Sequence, residues 1–598
     1  MKKYELTKLK EKVLKLENPS DIEKLIPHMN AYQFLRECCV DYGNMYAINY
    51  LGRKFTYNEL LEQIDTMTKG YAEMGVKPGD NVCMAMLTTP EAIISMYAII
   101  NLGATVYMVN ATHEKPSIRE ELLDAKANLI LINDIFYDND VANFCNEAGI
   151  KKVITASLDE SIPVGFYGDI VKFKIVYAIR KMAGACLKDK KTISWKQFAN
   201  ISKESRLNIE PIYDRNAAAV ITSTSGSTGK PKRPVLTNDN LNAMCLQMGM
   251  TCDTFAPNDS IFSTLPIWII YSLSNSVHEP LCLGVTLDLD PLFSSKKVSK
   301  RIKQYRFNHW NTIPAYIEDM IKDKGMRHSD CSCLKSITTG GDFRTPKLKF
   351  MAEKILQQNN SYIEIGQGYG ATEACGCFGY SYINGMPAES VGKPLTGNKF
   401  KIVDLKTGEI LGPNEKGEIY LYSPCLMKEY YGDKDATEKG LIKDDNGIIW
   451  YKTRDIGHYD EQGILYLDGR LRRIELTKDA NGLPTKVFPD KIKQALSMFP
   501  GINQCEVIMI PDEKRITKPI AYIVLDESLL HDQTLNERIN KFLEQNLIES
   551  YAIPADYVIT NEIPRKPSLK NDIEKMKNDY IQSMESQPTR KRTPFKRR

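Results

Sequence analysis

Short, strongly apolar runs recur along this chain between longer stretches of helical periodicity, at residues 82–87, 129–131, 217–222, 336–339 and 362–365. A run too short for a helix and rich in β-branched residues reads as a buried strand, and its regular exchange with helical stretches is the pattern of layered α/β lobes. The apolar segment 92–109 belongs to this pattern and not to a membrane span. Asn101, Leu102 and Gly103 interrupt it, so a helix through Ile100 ends at a glycine turn and a strand over 104–109 follows.

At 598 residues, of which 42% are hydrophobic, the chain is expected to hold more than one domain and large cores. Its 79 basic and 75 acidic residues give a formal charge of +4, too near balance for nucleic-acid binding by the whole chain. Fourteen cysteines lack a repeated CxxC, and the short pairs Cys331/Cys333 and Cys375/Cys377 lack the companions of a zinc site, so reduced thiols in the cytoplasm fit best. Residues 1–17 place Leu6, Leu9, Val13 and Leu16 on one face among lysines, an amphipathic helix without the continuous apolar core of a signal peptide. Two cationic segments stand out. Residues 170–191 interleave lysines with apolar residues and read either as an insertion helix packed on its own domain or as a peripheral contact with anionic lipid. The tail 586–598 reads as disordered, with a membrane-surface or polyanion tether as its functional alternative.

Residues 222–232, TSTSGSTGKPK, gather hydroxyls, glycines and two lysines in one loop. Gly226 and Gly229 let backbone approach an anion, while Thr224, Ser225, Ser227 and Thr228 offer donors and Lys230 a charge, a set suited to a polyphosphate such as ATP. It is not a Walker A loop, because Lys230 is followed by Pro231 and not by Ser or Thr opening a helix. Further motifs follow in order: Thr339-Gly340-Gly341-Asp342, Tyr369-Gly370-Ala371-Thr372-Glu373, Tyr451-Lys452-Thr453-Arg454-Asp455, Gly469-Arg470, and IPRKPSLK at 563–570.

This ordered set resembles the adenylate-forming superfamily, closest to its acyl-CoA synthetases (fatty-acid–CoA ligases). The resemblance implies an α/β fold with a large N-terminal region of two α/β lobes plus a small β barrel over roughly 391–467, and a smaller, mobile α+β C-terminal domain. It places the domains at 1–470 and 471–585, with the hinge at Leu471-Arg472. It implies Glu373 as the magnesium-linked carboxylate, Thr372 as a phosphate partner, Tyr369 and Gly370 beside adenine, and Gly340 and Gly341 covering it. Asp455 and Arg470 would take the ribose or phosphate, and Lys570 would act on the first half-reaction.

The implied activity is ATP- and magnesium-dependent conversion of a small carboxylic acid of the fatty-acid type to an acyl-adenylate. Transfer to coenzyme A would follow, giving acyl-CoA, AMP and pyrophosphate. A separate acyl carrier protein as acceptor and a non-catalytic nucleotide- or lipid-binding homologue are the alternatives. The chain departs from the family pattern at four places. Arg233 and Arg454 replace glycines and would add a cation near phosphates or obstruct nucleotide entry. Leu569 replaces the glycine before Lys570, and the loop at 477–487 is lengthened. Ile269 stands where peptide-synthetase domains hold an aspartate for the substrate's α-amine, so an acid without that amine is expected, since a buried ammonium against isoleucine would be unpaired.

Overall fold

The computed structural model describes residues 19–162, 191–224, 231–251, 255–291, 293–342, 344–381, 385–479, 481–530, 532–546, 548–566 and 570–586. The amphipathic segment expected over 1–17, the body of the cationic insertion, Ser225 through Lys230, Leu569 and the basic tail from 587 onward lie outside them.

The first lobe is an eight-stranded sheet in the order Glu429–Tyr430, Pro234–Thr237, Ala218–Ile221, Thr105–Met108, Asn81–Ala85, Leu129–Asn133, Lys152–Ala156, Thr192–Ser194. From Ala218–Ile221 onward every pairing is parallel. Parallel strands are covered on both faces, which is why they read as unbroken apolar runs. The helix Pro90–Asn101 is buried along its whole length, with Thr89 capping it through Ala92 N–H at 3.4 Å. Gly103, at φ +71, ends that unit in the left-handed region, and Thr105–Met108 follows as a strand.

The second lobe has a parallel core of Ile365–Ala371, Ser336–Thr339, His309–Thr312, Ser260–Ser263, Thr286–Leu289 and Tyr46–Tyr50. Beyond Ile365–Ala371 the same sheet continues antiparallel through Gly376–Tyr380, Ser390–Pro394, Leu465–Arg470, Ile449–Tyr459, Gly417–Tyr422 and Lys399–Val403. This antiparallel arm stands where the sequence suggested a small barrel.

After Arg470 the chain makes a tight turn, Leu471–Arg473, and forms only small sheets. Ile502–Asp512, Ile516–Leu525 and Asp556–Ile559 make one, packed with the helices Pro489–Ser497, Leu535–Gln545 and Ile573–Ser586. The lengthened loop at 477–487 is a hairpin of Glu475–Lys478 with Pro484–Val487. Asp479 Oδ1 accepts from Asn481 and Leu483 N–H at 2.8 and 2.9 Å to make its turn, and buried Thr477 donates to Thr517 O at 2.7 Å, tying it to the sheet. Among the described residues no helix is long and apolar enough to cross a membrane.

Candidate active site

The carboxyl ends of strands from both lobes open on one cavity of about 650 Å³. Met108 closes a strand of the first lobe there, Thr222 follows another, and Ile313, Gly340 and Ala371 stand at strand ends of the second. Ligand sites in open α/β sheets form at this edge because the loops leaving parallel strands face a common crevice.

At one end of the cavity, the neck of the Ser/Thr/Gly loop is held shut. Thr224 N–H donates to Lys232 O at 2.8 Å and Lys232 N–H to Thr224 Oγ1 at 3.3 Å. Lys232 Nζ lies 4.6 Å from the Tyr430 ring centroid. Burial and the neighbouring Arg454 lower its pKa, so it is a cation under strain that an anion would relieve. Thr222 Oγ1 donates to Trp268 O at 2.6 Å, coupling the loop to the opposite wall. Sequence reading missed Asn110, His113 and Glu121 here. Buried Glu121 accepts from Asn110 N–H at 3.0 Å and Ser223 Oγ at 3.2 Å and meets His113 Nδ1 at 3.2 Å. They come from a loop and a helix about a hundred residues before the phosphate loop, with no local pattern to mark them.

Elsewhere on the lining, Tyr369 O–H donates to Asp455 Oδ2 at 3.0 Å, and Arg470 Nε lies 3.3 Å from Asp455 Oδ1. Asp455 and Arg470 face each other in register across two antiparallel strands, which is why residues fifteen apart meet. Gly340, Gly341 and Gly370 also line the cavity. A Cβ on Gly370 would stand 1.7 Å from Gly376 O, so this position admits glycine alone. A further missed residue is Gln367. Its Oε1 accepts from Thr339 Oγ1 at 2.9 Å and Arg344 Nε at 3.1 Å, binding the 339–342 turn to the strand that carries Tyr369.

Glu373 and Thr372 lie on the short turn Thr372–Ala374 at the end of that strand and line the cavity. Tyr430 O–H donates to Glu373 Oε1 at 2.7 Å, and burial together with Glu373 pushes the Tyr430 phenol well up, so it stays a donor. Lys570 lines the same cavity although a hundred residues separate it from Arg470. Its loop is anchored at the base: Arg565 bridges Asn571, Lys566 N–H donates to Lys570 O at 2.8 Å, and Asn571 Nδ2 donates to Glu506 Oε2 at 2.6 Å. Glu506, 1% exposed, also meets Arg473 at 2.7 Å and Lys493 at 2.8 Å. Burial alone would raise its pKa, but Lys493 and Arg473 outweigh that and hold it far below the usual carboxylate range. The small domain is docked on the large one through Arg565 with Glu318 and through Lys347 Nζ to Ile502 O at 2.5 Å.

The two arginines that replace glycines go opposite ways. Arg233 is 6% exposed and pairs with Asp124 at 2.6 Å outside the cavity lining, so it neither adds a cation to the site nor blocks entry. Arg454 is exposed, lines the cavity near Lys232, and takes φ +60 with its N–H donated to Glu418 Oε1 at 3.2 Å. A non-glycine residue there costs about 1–2 kcal/mol. Arg454→Gly is therefore expected to leave the thermal midpoint unchanged or raised while increasing KM for ATP several-fold. A lowered midpoint with an unaltered KM would show that the side chain serves the fold and not the nucleotide.

On one side of the cavity, Trp268, Ile269, Ile270 and Tyr271 form an apolar wall, with Ile269 37% exposed. Ile269 thus faces the cavity.

A family model described as "AMP-binding enzyme" matches residues 35–431, and its companion "AMP-binding enzyme C-terminal domain" matches 491–570. The chain belongs to the AMP-binding enzyme family. This AMP-binding enzyme is 24% identical to the long-chain-fatty-acid–CoA ligase of Bacillus subtilis, over 92% of this chain and 94% of that one. It is likewise 24% identical to the indoleacetate–CoA ligase of Aromatoleum aromaticum, over 87% and 92%. Among solved structures, ATP-bound MatB from Rhodopseudomonas palustris superposes with a TM-score of 0.76 at 19% identity, covering 92% of this chain and 99% of that one. The anthranilate CoA ligase AuaEII with anthranoyl-AMP gives 0.77 at 18%, covering 93% and 98%. Both lobes and the small C-terminal domain of this enzyme therefore have the adenylate-forming fold.

Proposed function

We propose that this AMP-binding enzyme is an AMP-forming acid–coenzyme A ligase acting on a carboxylic acid of the fatty type. The observation that carries the reading is the entry of Lys570, from the C-terminal domain, into the cavity lined by Thr372, Glu373 and Asp455. In the first step a carboxylate oxygen attacks the α-phosphate of ATP, the bond to the β-phosphate breaks, and pyrophosphate leaves. Lys570 stabilises the charge that develops between two anions, with Lys232 and the loop donors on the leaving phosphates. In the second, the coenzyme A thiol attacks the acyl carbon, yielding acyl-CoA and AMP. We place the domain boundary at 470/471, where the tight turn gives a pivot for the small domain to withdraw Lys570 between the steps. The CoA ligases named above support coenzyme A as the acceptor, and apolar Ile269 supports an acid without an α-amine.

Magnesium fits the residues present. Among the described residues no cluster of three or more metal ligands exists, which suits a cation held chiefly by phosphate oxygens and water with a single protein carboxylate. Glu373 is that carboxylate, with Tyr430 fixing one of its oxygens. When bound, the ion neutralises phosphate charge and orients the leaving group. Glu373→Gln is expected to raise the magnesium concentration for half-maximal rate several-fold and to lower kcat. An unchanged magnesium dependence removes Glu373 from the role.

The reading as a whole is tested by ATP-dependent pyrophosphate release over a panel of carboxylic acids, with and without coenzyme A. Acyl-CoA formation is expected. Adenylate accumulating without thioester would transfer the acceptor role to a carrier protein, and no release with any acid would leave only a nucleotide-binding homologue.

A further inference from the structure

Behind the apolar wall of the cavity lies a buried polar group that adenylation does not use. The helical run 270–282 widens to a π-helix over Leu273–His278. Such turns are frequent at functional sites, and the extra residue per turn re-aims the side chains around it. Here it brings Ser274 and Asn275 against Gly376, which lines the cavity with Cys377. A Cβ on Gly376 would stand 2.6 Å from Asn275 Oδ1 and 2.7 Å from Ser274 Oγ, and the residue sits at φ +118, so any side chain there would close the gap. Asn275 Nδ2 donates to Glu279 Oε2 at 3.2 Å, while Glu279 Oε1 has no hydrogen-bond partner among the described residues. Glu279 is 1% exposed and Asn275 fully buried. A buried carboxyl oxygen without a partner has lost its water without gaining a hydrogen bond in exchange. Burial holds the Glu279 carboxyl well above its usual range, and a protonated carboxyl donates as well as accepts. An apolar chain terminus would leave Glu279 Oε1 unsatisfied, while Asn275 Oδ1 already accepts from Ser274 Oγ at 3.0 Å.

We propose that the acid activated here carries a hydrogen-bonding group, a hydroxyl or carbonyl, at the end remote from its carboxylate, and that Asn275 and Glu279 receive it beside Gly376. The proposal rests on the acid–CoA ligase reading and narrows it. Tyr271 and Cys377 supply the apolar walls along which the rest of the chain lies. A water molecule in the same space would satisfy the same atoms, and the two cases give opposite substrate preferences.

The test is ATP- and magnesium-dependent pyrophosphate release by the full-length enzyme with acid pairs differing only at the far end. The straight-chain acids from butanoate to dodecanoate are set against their ω-hydroxy counterparts, and cinnamate against 4-hydroxycinnamate. At least one polar member is expected to exceed its parent about tenfold or more in kcat/KM, because a site built to hydrogen-bond a substrate group rejects the analogue lacking it. Asn275→Leu and Glu279→Leu are expected to collapse that ratio, and Glu279→Gln, which still donates and accepts, to keep it. The wild-type ratio stands by itself if a variant fails to fold. Preference for the parent acid at every length overturns the proposal, as does an unaltered ratio in folded Leu variants. Release from none of the acids, polar or apolar, overturns the ligase reading and this inference with it.

Discussion

Lys570→Ala is expected to lower ATP-dependent pyrophosphate release about 10²–10³-fold, the usual loss when one preorganised transition-state donor is removed. Nucleotide affinity is expected to stay within a few-fold, because Lys232, Arg454, Asp455 and Arg470 line the cavity from the large domain and are untouched by the change. The contrast between rate and binding is the diagnostic. A cation that acts on charge present only in the transition state alters kcat without altering ground-state binding. Adenylation at near wild-type rate would displace Lys570 from the role and pass it to Lys566, four residues earlier on the same anchored loop.

Glu506→Gln is the second large expectation. The carboxylate is almost fully buried between Arg473 and Lys493 and accepts from Asn571, the neighbour of Lys570. Removing one partner of a buried ion cluster leaves the others uncompensated and costs about 3–5 kcal/mol. Because the group joins the turn after Arg470 to the base of the lysine loop, the C-terminal unfolding transition and the adenylation rate are expected to fall together, while the transition of the large domain stays in place. The sign with pH follows from the depressed pKa. A carboxylate held below its unfolded value contributes its stability above about pH 4.3 and loses it only as pH falls through the lower folded value, so the defect should be equal at pH 6 and pH 8. A variant with both transitions and the rate intact would show that the cluster carries no load in positioning Lys570.

Much of the site was legible because its motifs are local. Gly370, Asp455 and Arg470 stand in short motifs that the chain displays, whereas the approach of Gly370 to Gly376 O and the pairing of Asp455 with Arg470 across two strands come with the fold. Tyr369 is an instructive partial case. Its place in the cavity wall was expected, but the hydroxyl donated to Asp455 was not, since the two residues are 86 apart in sequence. Arg233 and Arg454 show the same limit from the other side. Both replace glycine in a recognisable motif, yet one is itself buried and paired with Asp124 while the other opens on the cavity.

By itself, then, the sequence determined the alternation of strands and helices, the helix-to-strand turn at Gly103 and the order of the motif-bearing loops, because apolar periodicity, capping and glycine turns depend on neighbours in the chain. The tertiary structure alone decided which residues complete the site: Glu121 with His113 behind Ser223, Tyr430 on Glu373, and the Glu506 cluster beneath Lys570. Their charges and hydrogen bonds are satisfied across lobes or turns of helix far apart in the chain, and a buried polar atom finds its partner only once packing has excluded water from both.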